Sequence, residues 1–220
     1  MNQNLHPLTK LVWVTPLAEQ LITMMARVSN PSNQDNNLTA PRLIRYLIDH
    51  EHWSPFEMAS MCIEINTTRA ISPQLLRHRS FTFQEFSQRY ANTQELGGAE
   101  MPELRTQDLK NRQNSVDNLS DWQRACYEDK IANIFSMAED LYSQMISDGV
   151  AKECARAILP LATPTRLYMC GTLRSWIHYI QLRTGNGTQK EHKDIAEGCK
   201  TIFTEKLPPI DRDWETSRCC

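Results

Sequence analysis

Apolar residues along this chain fall into two spacings, one typical of strands and one of helices. Leu11-Val12-Trp13-Val14 is a short apolar run ended by Pro16 and predicts a strand. Leu17, Leu21, Met24/Met25 and Val28 recur at helical spacing and predict a helix over 17–28. Asn30 to Asn37 is a polar loop, and Ala40 to His50 a second helix with Pro41 in its first turn. His52 to Glu57 reads as a turn. Met58 to Thr67 alternates, with Met61, Ile63 and Ile65 on one strand face and Cys62, Glu64 and Asn66 on the other. Ser72-Pro73 predicts a helix start, serine as N-cap and proline at the first helical position, continuing through Gln74 to Arg79. Ala91 to Asp117 is poor in large apolar residues and predicts a long, partly mobile surface segment. Ser120 and Gln123 have capping-box spacing. After them Tyr127, Ile131, Ile134/Phe135, Ala138, Leu141/Tyr142 and Met145 mark one face of a long amphipathic helix that stops near Gly149. Val150 to Ile158 predicts a short helix, Thr165 to Gly171 a strand, and Leu173 to Leu182 a buried helix. Thr188 and Glu191 suggest another capping box, opening a helix to about Phe203. The polar tail from about residue 211 is expected to fray.

Composition narrows the class. A chain of 220 residues suits one domain, spanning 1–220, and 40% apolar residues suffice for a core. The net charge of −2 argues against a nucleic-acid coat or a membrane-surface binder. No apolar run approaches the roughly 20 residues needed to span a bilayer. The seven cysteines are odd in number and contain no Cys-x-x-Cys pair, which fits a reducing cytoplasm better than a disulfide framework or a zinc site. Cys62, Cys154 and Cys170 read as small core residues. His50-Glu51-His52 lacks a third ligand, so capping or hydrogen bonding is expected there and no metal.

Against this slightly acidic background, Arg77 to Tyr90 holds three arginines, a histidine, a glutamate and two serines in fourteen residues. Either this is a solvated basic edge, or anions neutralise it, because guanidinium forks match phosphate and carboxylate oxygens. Helical residues point about 100° apart, so Arg77, His78 and Arg79 would serve two ligands along one helix edge. If the following segment is extended, Glu85, Ser87 and Arg89 share a side. Arginine and serine there suit a phosphate, and the glutamate a ribose hydroxyl. Arg156, Arg174 and Arg183 lie in or beside apolar runs without carboxylates. Their partner is then an anionic ligand or a carboxylate from elsewhere in the chain. His178, in Trp176-Ile177-His178-Tyr179-Ile180, also reads as a satisfied core histidine. Gly185-Asn186-Gly187 lacks the third glycine of a dinucleotide fingerprint.

Arg77 to Tyr90 resembles the signature of the flavin-dependent thymidylate synthases (the ThyX family). Ala26-Arg27-Val28-Ser29, His52-Trp53-Ser54-Pro55-Phe56-Glu57, Ala155-Arg156-Ala157-Ile158-Leu159-Pro160, and Leu182-Arg183 with Gln189 and Glu191 are similar to further family elements, in order, over roughly residues 10 to 205. The resemblance implies an α+β fold with a mostly antiparallel sheet flanked by long helices. It implies a homotetramer with shared active sites that methylates dUMP to dTMP. Methylenetetrahydrofolate would supply the carbon, and NADPH would reduce a bound FAD that supplies the hydride. By the same resemblance, Gln74, Leu75, Leu76, Arg77, Glu85, Phe86, Ser87, Gln88, Arg89 and Arg156 contact dUMP. Ser54, Arg77, His78, Arg79, Thr172, Leu173, Arg174 and His178 contact FAD. Arg183 sits against the uracil ring as the catalytic group, stabilising negative charge there. Met58, Gln84 and Thr172 depart from residues the family often carries, which puts details of flavin contact in question. Two other readings remain: a regulatory protein that binds dUMP without flavin or catalysis, and a single-stranded nucleic-acid binder, which the net charge disfavours.

Overall fold

The structure, a computed structural model, describes residues 7–208. The tail predicted to fray, with Cys219 and Cys220, lies outside the described residues. The chain runs β1 (Thr9–Val14), α1 (Ala18–Ala26), α2 (Ala40–Asp49), β2 (Ser60–Thr68), α3 (Ser72–Leu75), β3 (Thr82–Glu85), β4 (Thr106–Gln107), β5 (Ser115–Val116), α4 (Asp121–Ser147), α5 (Lys152–Ala155), β6 (Pro164–Thr172), α6 (Leu173–Arg183) and α7 (Lys190–Lys206). β1, β2, β6 and β3 form one sheet in that order, every pairing antiparallel. The α+β architecture expected from the sequence is therefore present.

Alternation decides which face of the sheet is buried. Met61, Ile63 and Ile65 of β2 and Leu167 and Met169 of β6 turn one way and are fully buried. They meet Trp176, Ile177 and Ile180 of α6 and Ile195, Cys199 and Phe203 of α7 in one core. Trp176 satisfies its indole by donating Nε1–H to the Met61 carbonyl at 2.9 Å. Gly171 on β6 permits a close approach, since a Cβ there would lie 2.5 Å from the Phe81 ring. Phe81 thus packs directly over the strand and anchors the loop that precedes β3.

Several local expectations change. α1 is shorter than 17–28 and buries Ala18, Ile22 and Thr23; Leu17 and Val28 are exposed. Leu17 adopts a left-handed conformation (φ 53°) just before the helix. α3 ends at Leu75, so Arg77 to Arg79 occupy a turn and not a helix edge. Ser72 does not cap it, because its hydroxyl donates to Glu85 Oε1 at 2.6 Å. The capping box at Ser120 forms as predicted. The one at Thr188 does not: α7 begins at Lys190 without a side-chain cap, and Glu191 binds Arg105 instead. The segment 91–117 is held by polar bonds, some local and some to distant elements. It has a capping box at Asn92 and Glu95, the β4–β5 ribbon, and Arg105 inserted between Glu103 (3.3 Å) and Glu191 (2.6 Å). Cys154 is exposed, not a core residue. His50 bears out its hydrogen-bonding role, its ring nitrogen 2.8 Å from the Tyr46 carbonyl.

α4 forms where predicted, and Tyr142 is its only buried residue. Ile134 is 60% exposed and Met137 72%. The predicted apolar face is only partly covered by the described residues: Tyr142 is buried and Ile131, Phe135, Ala138 and Met145 are half-buried, while Ile134 and Leu141 are exposed.

Candidate active site

The predicted site residues gather into three groups around β3 and α6. The first lies where β3 ends. Glu85 Oε1 accepts from Arg69 Nη1 at 2.5 Å, Ser72 Oγ at 2.6 Å and Thr165 Oγ1 at 2.9 Å. Sequence reasoning missed Arg69, Ser72 and Thr165 because all three reach Glu85 from other elements. Oε1 is saturated by the protein; Oε2 has no partner among the described residues. Beyond Glu85 the chain is not extended. Phe86 N–H bonds the Arg166 carbonyl at 2.8 Å, and residues 87–90 turn, with Tyr90 and Ala91 N–H both donating to the Ser87 carbonyl. Glu85, Ser87 and Arg89 therefore do not form the predicted row. The turn instead presses against α5. Arg89 pairs with Glu153 at 3.0 Å, and Lys152 Nζ donates to the Tyr90 carbonyl at 2.8 Å. Arg156 follows α5 half-buried and without an ion pair among the described residues. Gln88 is buried, its Nε2 unpartnered.

The second group joins the turn after α3 to the end of α6. Arg183 Nε donates to His78 Nε2 at 3.0 Å. That contact makes His78 an acceptor at Nε2, so the imidazole is neutral. Its pKa agrees: burial, and then the neighbouring Arg183 charge, push it down to about 4. Both Nη nitrogens of Arg183 have no protein partner among the described residues. Behind His78 stands fully buried His192 of α7, its pKa lowered to about 4 by burial, then by Arg183 and His78. Its Nδ1 lies 3.2 Å from Gln74 Oε1, while Gln74 Nε2 donates to Gln189 Oε1 at 2.7 Å. Gln74 is thus oriented from both ends of its amide. His192 gave no sequence signal, since its partners are more than a hundred residues away.

The third group surrounds the first turn of α6. Thr172 caps this helix, its hydroxyl accepting from Ser175 N–H at 3.3 Å. Arg174 pairs with Glu57 at 2.5 Å, both side chains more than 40% exposed. The carboxylate from elsewhere in the chain is thus the observed partner of Arg174, and Arg156, Arg174 and Arg183 are half-buried, not buried. His178 is exposed and meets the Trp53 ring edge-on at 4.8 Å, which excludes a core role. Ser54 starts the short turn that carries Glu57. Ser175 Oγ donates to the Ser80 carbonyl at 3.2 Å and ties this group to the arginine turn.

Arg77 and Arg79 are exposed and have no ion pair among the described residues. Leu75 and Leu173 are fully buried, so only their backbones could meet a ligand, whereas Leu76 is 40% exposed. Arg27 is structural. Its guanidinium donates to the Asn36 carbonyl and, at 2.8 Å, to Thr39 Oγ1, holding the loop before α2. A separate cavity of about 340 Å³ is lined by Asn66, Thr68, Arg166 and Glu191 among others, and by none of the predicted site residues. No helix among the described residues is long and apolar enough to cross a membrane.

Comparison with known proteins adds to this geometry. Residues 10–209 match the family described as thymidylate synthase complementing protein. A probable flavin-dependent thymidylate synthase of Paramecium bursaria Chlorella virus 1 is 52% identical over 90% of this chain and 91% of its own length. A flavin-dependent thymidylate synthase of Synechocystis is 48% identical, covering 87% of each. Among solved structures, a UMP/dUMP methylase from Streptomyces cacaoi, bound with 5-Br dUMP, shares the fold. Its TM-score is 0.81 at 24% identity, covering 94% of both chains.

Proposed function

The chain belongs to the family of flavin-dependent thymidylate synthases, and on that premise we propose that it converts dUMP to dTMP with FAD, NADPH and methylenetetrahydrofolate. The observation that carries the reading is Arg183. One nitrogen of its guanidinium is held by a neutral histidine, and the remaining fork has no acceptor among the described residues. A cation fixed in place yet open on one side suits a ring that must accumulate negative charge as a carbon–carbon bond forms at its 5-position. His78 contributes orientation without competing charge, because its lone pair is engaged with Nε.

In this reading Arg89, Ser87 and Arg156 receive the phosphate of dUMP. Glu85 offers Oε2 to the ribose, and Gln74 offers its doubly anchored amide. Gln88, whose Nε2 is buried and unpartnered, faces the same nucleotide with Phe86, and backbone groups of Leu75 and Leu76 complete the contacts. The third group fits a flavin. The capped start of α6 and the Arg174 guanidinium suit a diphosphate, and Trp53 with His178 offers aromatic surface. Ser54, Thr172, Leu173 and His78 complete that set. Bound FAD, reduced by NADPH, would supply the hydride. Arg174 gives up only an exposed pair with Glu57 to bind an anion, an exchange that costs little.

Arg77 and Arg79 are exposed and have no ion pair among the described residues, which supports a site shared between subunits. The exposed apolar residues of α4, Ile134, Met137 and Leu141, support the same homotetramer, since contiguous exposed apolar surface marks association. Tritium release from 5-tritiated dUMP, with flavin, NADPH and methylenetetrahydrofolate present, tests the reaction. Purified protein that binds dUMP but releases no tritium would overturn it in favour of a binding protein.

A further inference from the structure

On the sheet face turned away from the helical core, Cys62 of β2 stands directly across from Cys170 of β6. Both are free thiols, Cys62 buried and Cys170 half-buried. The ladder determines how close they come. Asn66 N–H donates to the Leu8 carbonyl and Thr15 N–H to the Ser60 carbonyl. Even-numbered residues of β2 therefore turn their backbone groups toward β1. Leu173 N–H donates to the Ala59 carbonyl and Arg69 N–H to the Thr163 carbonyl, so odd-numbered residues turn toward β6. Cys62 is even. It and Cys170 form a pair that shares no backbone hydrogen bond, the kind whose Cα atoms lie about 4.5 Å apart with side chains closest. That separation falls within the range a disulfide spans, about 4.4–6.8 Å. The facing Cys170 also acts on Cys62, helping to raise its pKa.

We propose that Cys62 and Cys170 are an oxidisable dithiol, a modification site at which a hydroperoxide closes a cross-strand disulfide between the two central strands of the sheet. Cys170, the more exposed, reacts first. Its thiolate attacks the distal peroxide oxygen, the O–O bond breaks, and the sulfur becomes a sulfenic acid while the second oxygen leaves as hydroxide or alkoxide. The Cys62 sulfur then attacks the Cys170 sulfur, the S–O bond breaks, and the hydroxyl leaves as water with the Cys62 proton. In sum two thiols are oxidised by two electrons and one peroxide is reduced to water and an alcohol, or to two waters. Burial, with the facing Cys170, pushes the Cys62 thiol up to about 11, which fits its role as the resolving and not the attacking sulfur. The bridge would close a long loop between residues distant in sequence, which restricts the unfolded chain.

The test treats the full-length protein with hydrogen peroxide, blocks remaining thiols with iodoacetamide and maps peptides by mass spectrometry. The expected product is one linked peptide pair containing Cys62 and Cys170, two hydrogens lighter than the reduced pair and restored by dithiothreitol. Cys154, exposed on α5, stays alkylatable after mild treatment and serves as the internal control. The oxidised wild-type protein should melt several degrees higher than the reduced one, a shift absent from Cys62→Ser and from Cys170→Ser. Cys62→Ser should also accumulate a dimedone-reactive sulfenic acid at Cys170, its resolving partner being gone. Cys62 and Cys170 both remaining alkylatable after peroxide, or linking to other cysteines instead, overturns the proposal. Mapping in the wild-type protein needs no variant to fold.

Discussion

Arg69 belongs to the first group of side chains and Arg183 to the second, and the two are treated in opposite ways. Arg69 is closed by Glu85, whose Oε1 also takes hydrogen bonds from Ser72 and Thr165. Among the described residues Arg183 receives only a neutral imidazole nitrogen, on one of its three nitrogens. A cation given a full carboxylate partner in a partly buried setting is a structural tie. A cation oriented by a neutral group keeps its charge uncompensated and its donors available. The contrast separates frame from working surface without reference to any bound molecule, and substitutions in the two groups should fail in different ways.

Arg183→Ala is expected to give the largest effect. Removing a donor aimed at developing charge typically costs 10²–10³-fold in turnover, so tritium release should fall by about that factor. Flavin absorbance of the purified protein and the melting temperature should stay near wild type. Equal losses of turnover and flavin would break the distinction between the second and third groups.

Glu85→Ala should do the reverse in kind. It strands Arg69 and removes three hydrogen bonds to a charged acceptor, bonds that are worth about 1.5–3 kcal/mol each when lost singly and that do not simply add. A loss of about 3 kcal/mol in urea unfolding is expected, with activity lost both through instability and through the missing Oε2 contact proposed for the ribose. This tie was invisible along the chain. Ser72-Pro73 has the local pattern of a helix start, and the proline does open α3. The serine hydroxyl, however, is taken by a residue thirteen positions on. Thr188 misled for the same reason, because Glu191 answers Arg105 across the molecule. Where the signal is periodic burial, as in Met61, Ile63 and Ile65 of β2, the sequence was legible to within a few residues. Where a polar side chain chooses between a local and a distant partner, it was not. The apolar stripe of α4 was legible as a stripe, but its partial exposure was not, since spacing says which residues share a face and not what covers it.

The neutral histidines give an intermediate effect with a definite sign. An unfolded histidine titrates near 6.5, whereas His78 and His192 are held down to about 4. Between those values the unfolded chain binds more protons, so stability falls as pH drops from about 6.5 toward about 4, and these groups add no slope above that window. The urea midpoint should decline between pH 7 and pH 5. His192→Leu, which removes one buried titrating ring, should make that decline shallower. An unchanged slope would mean that the ring is not held neutral behind Arg183.

The smallest effect sharpens the comparison most, because it concerns an arginine that looks paired and is still proposed as a ligand. Arg89 meets Glu153 at 3.0 Å with both side chains more than half exposed. Ion pairs in open solvent are worth about 0–1 kcal/mol, so Arg89→Ala should cost less than about 1 kcal/mol of stability while weakening dUMP binding by isothermal titration. Glu153→Gln removes the competitor and leaves the guanidinium free. If Arg89 belongs to the working surface, as Arg183 does, that variant should bind dUMP slightly more tightly than wild type, since less is surrendered when phosphate replaces carboxylate. If Arg89 belongs to the frame, as Arg69 does, losing its partner should loosen the turn at 87–90 and weaken dUMP. The sign of that one change assigns Arg89 to the frame or to the working surface.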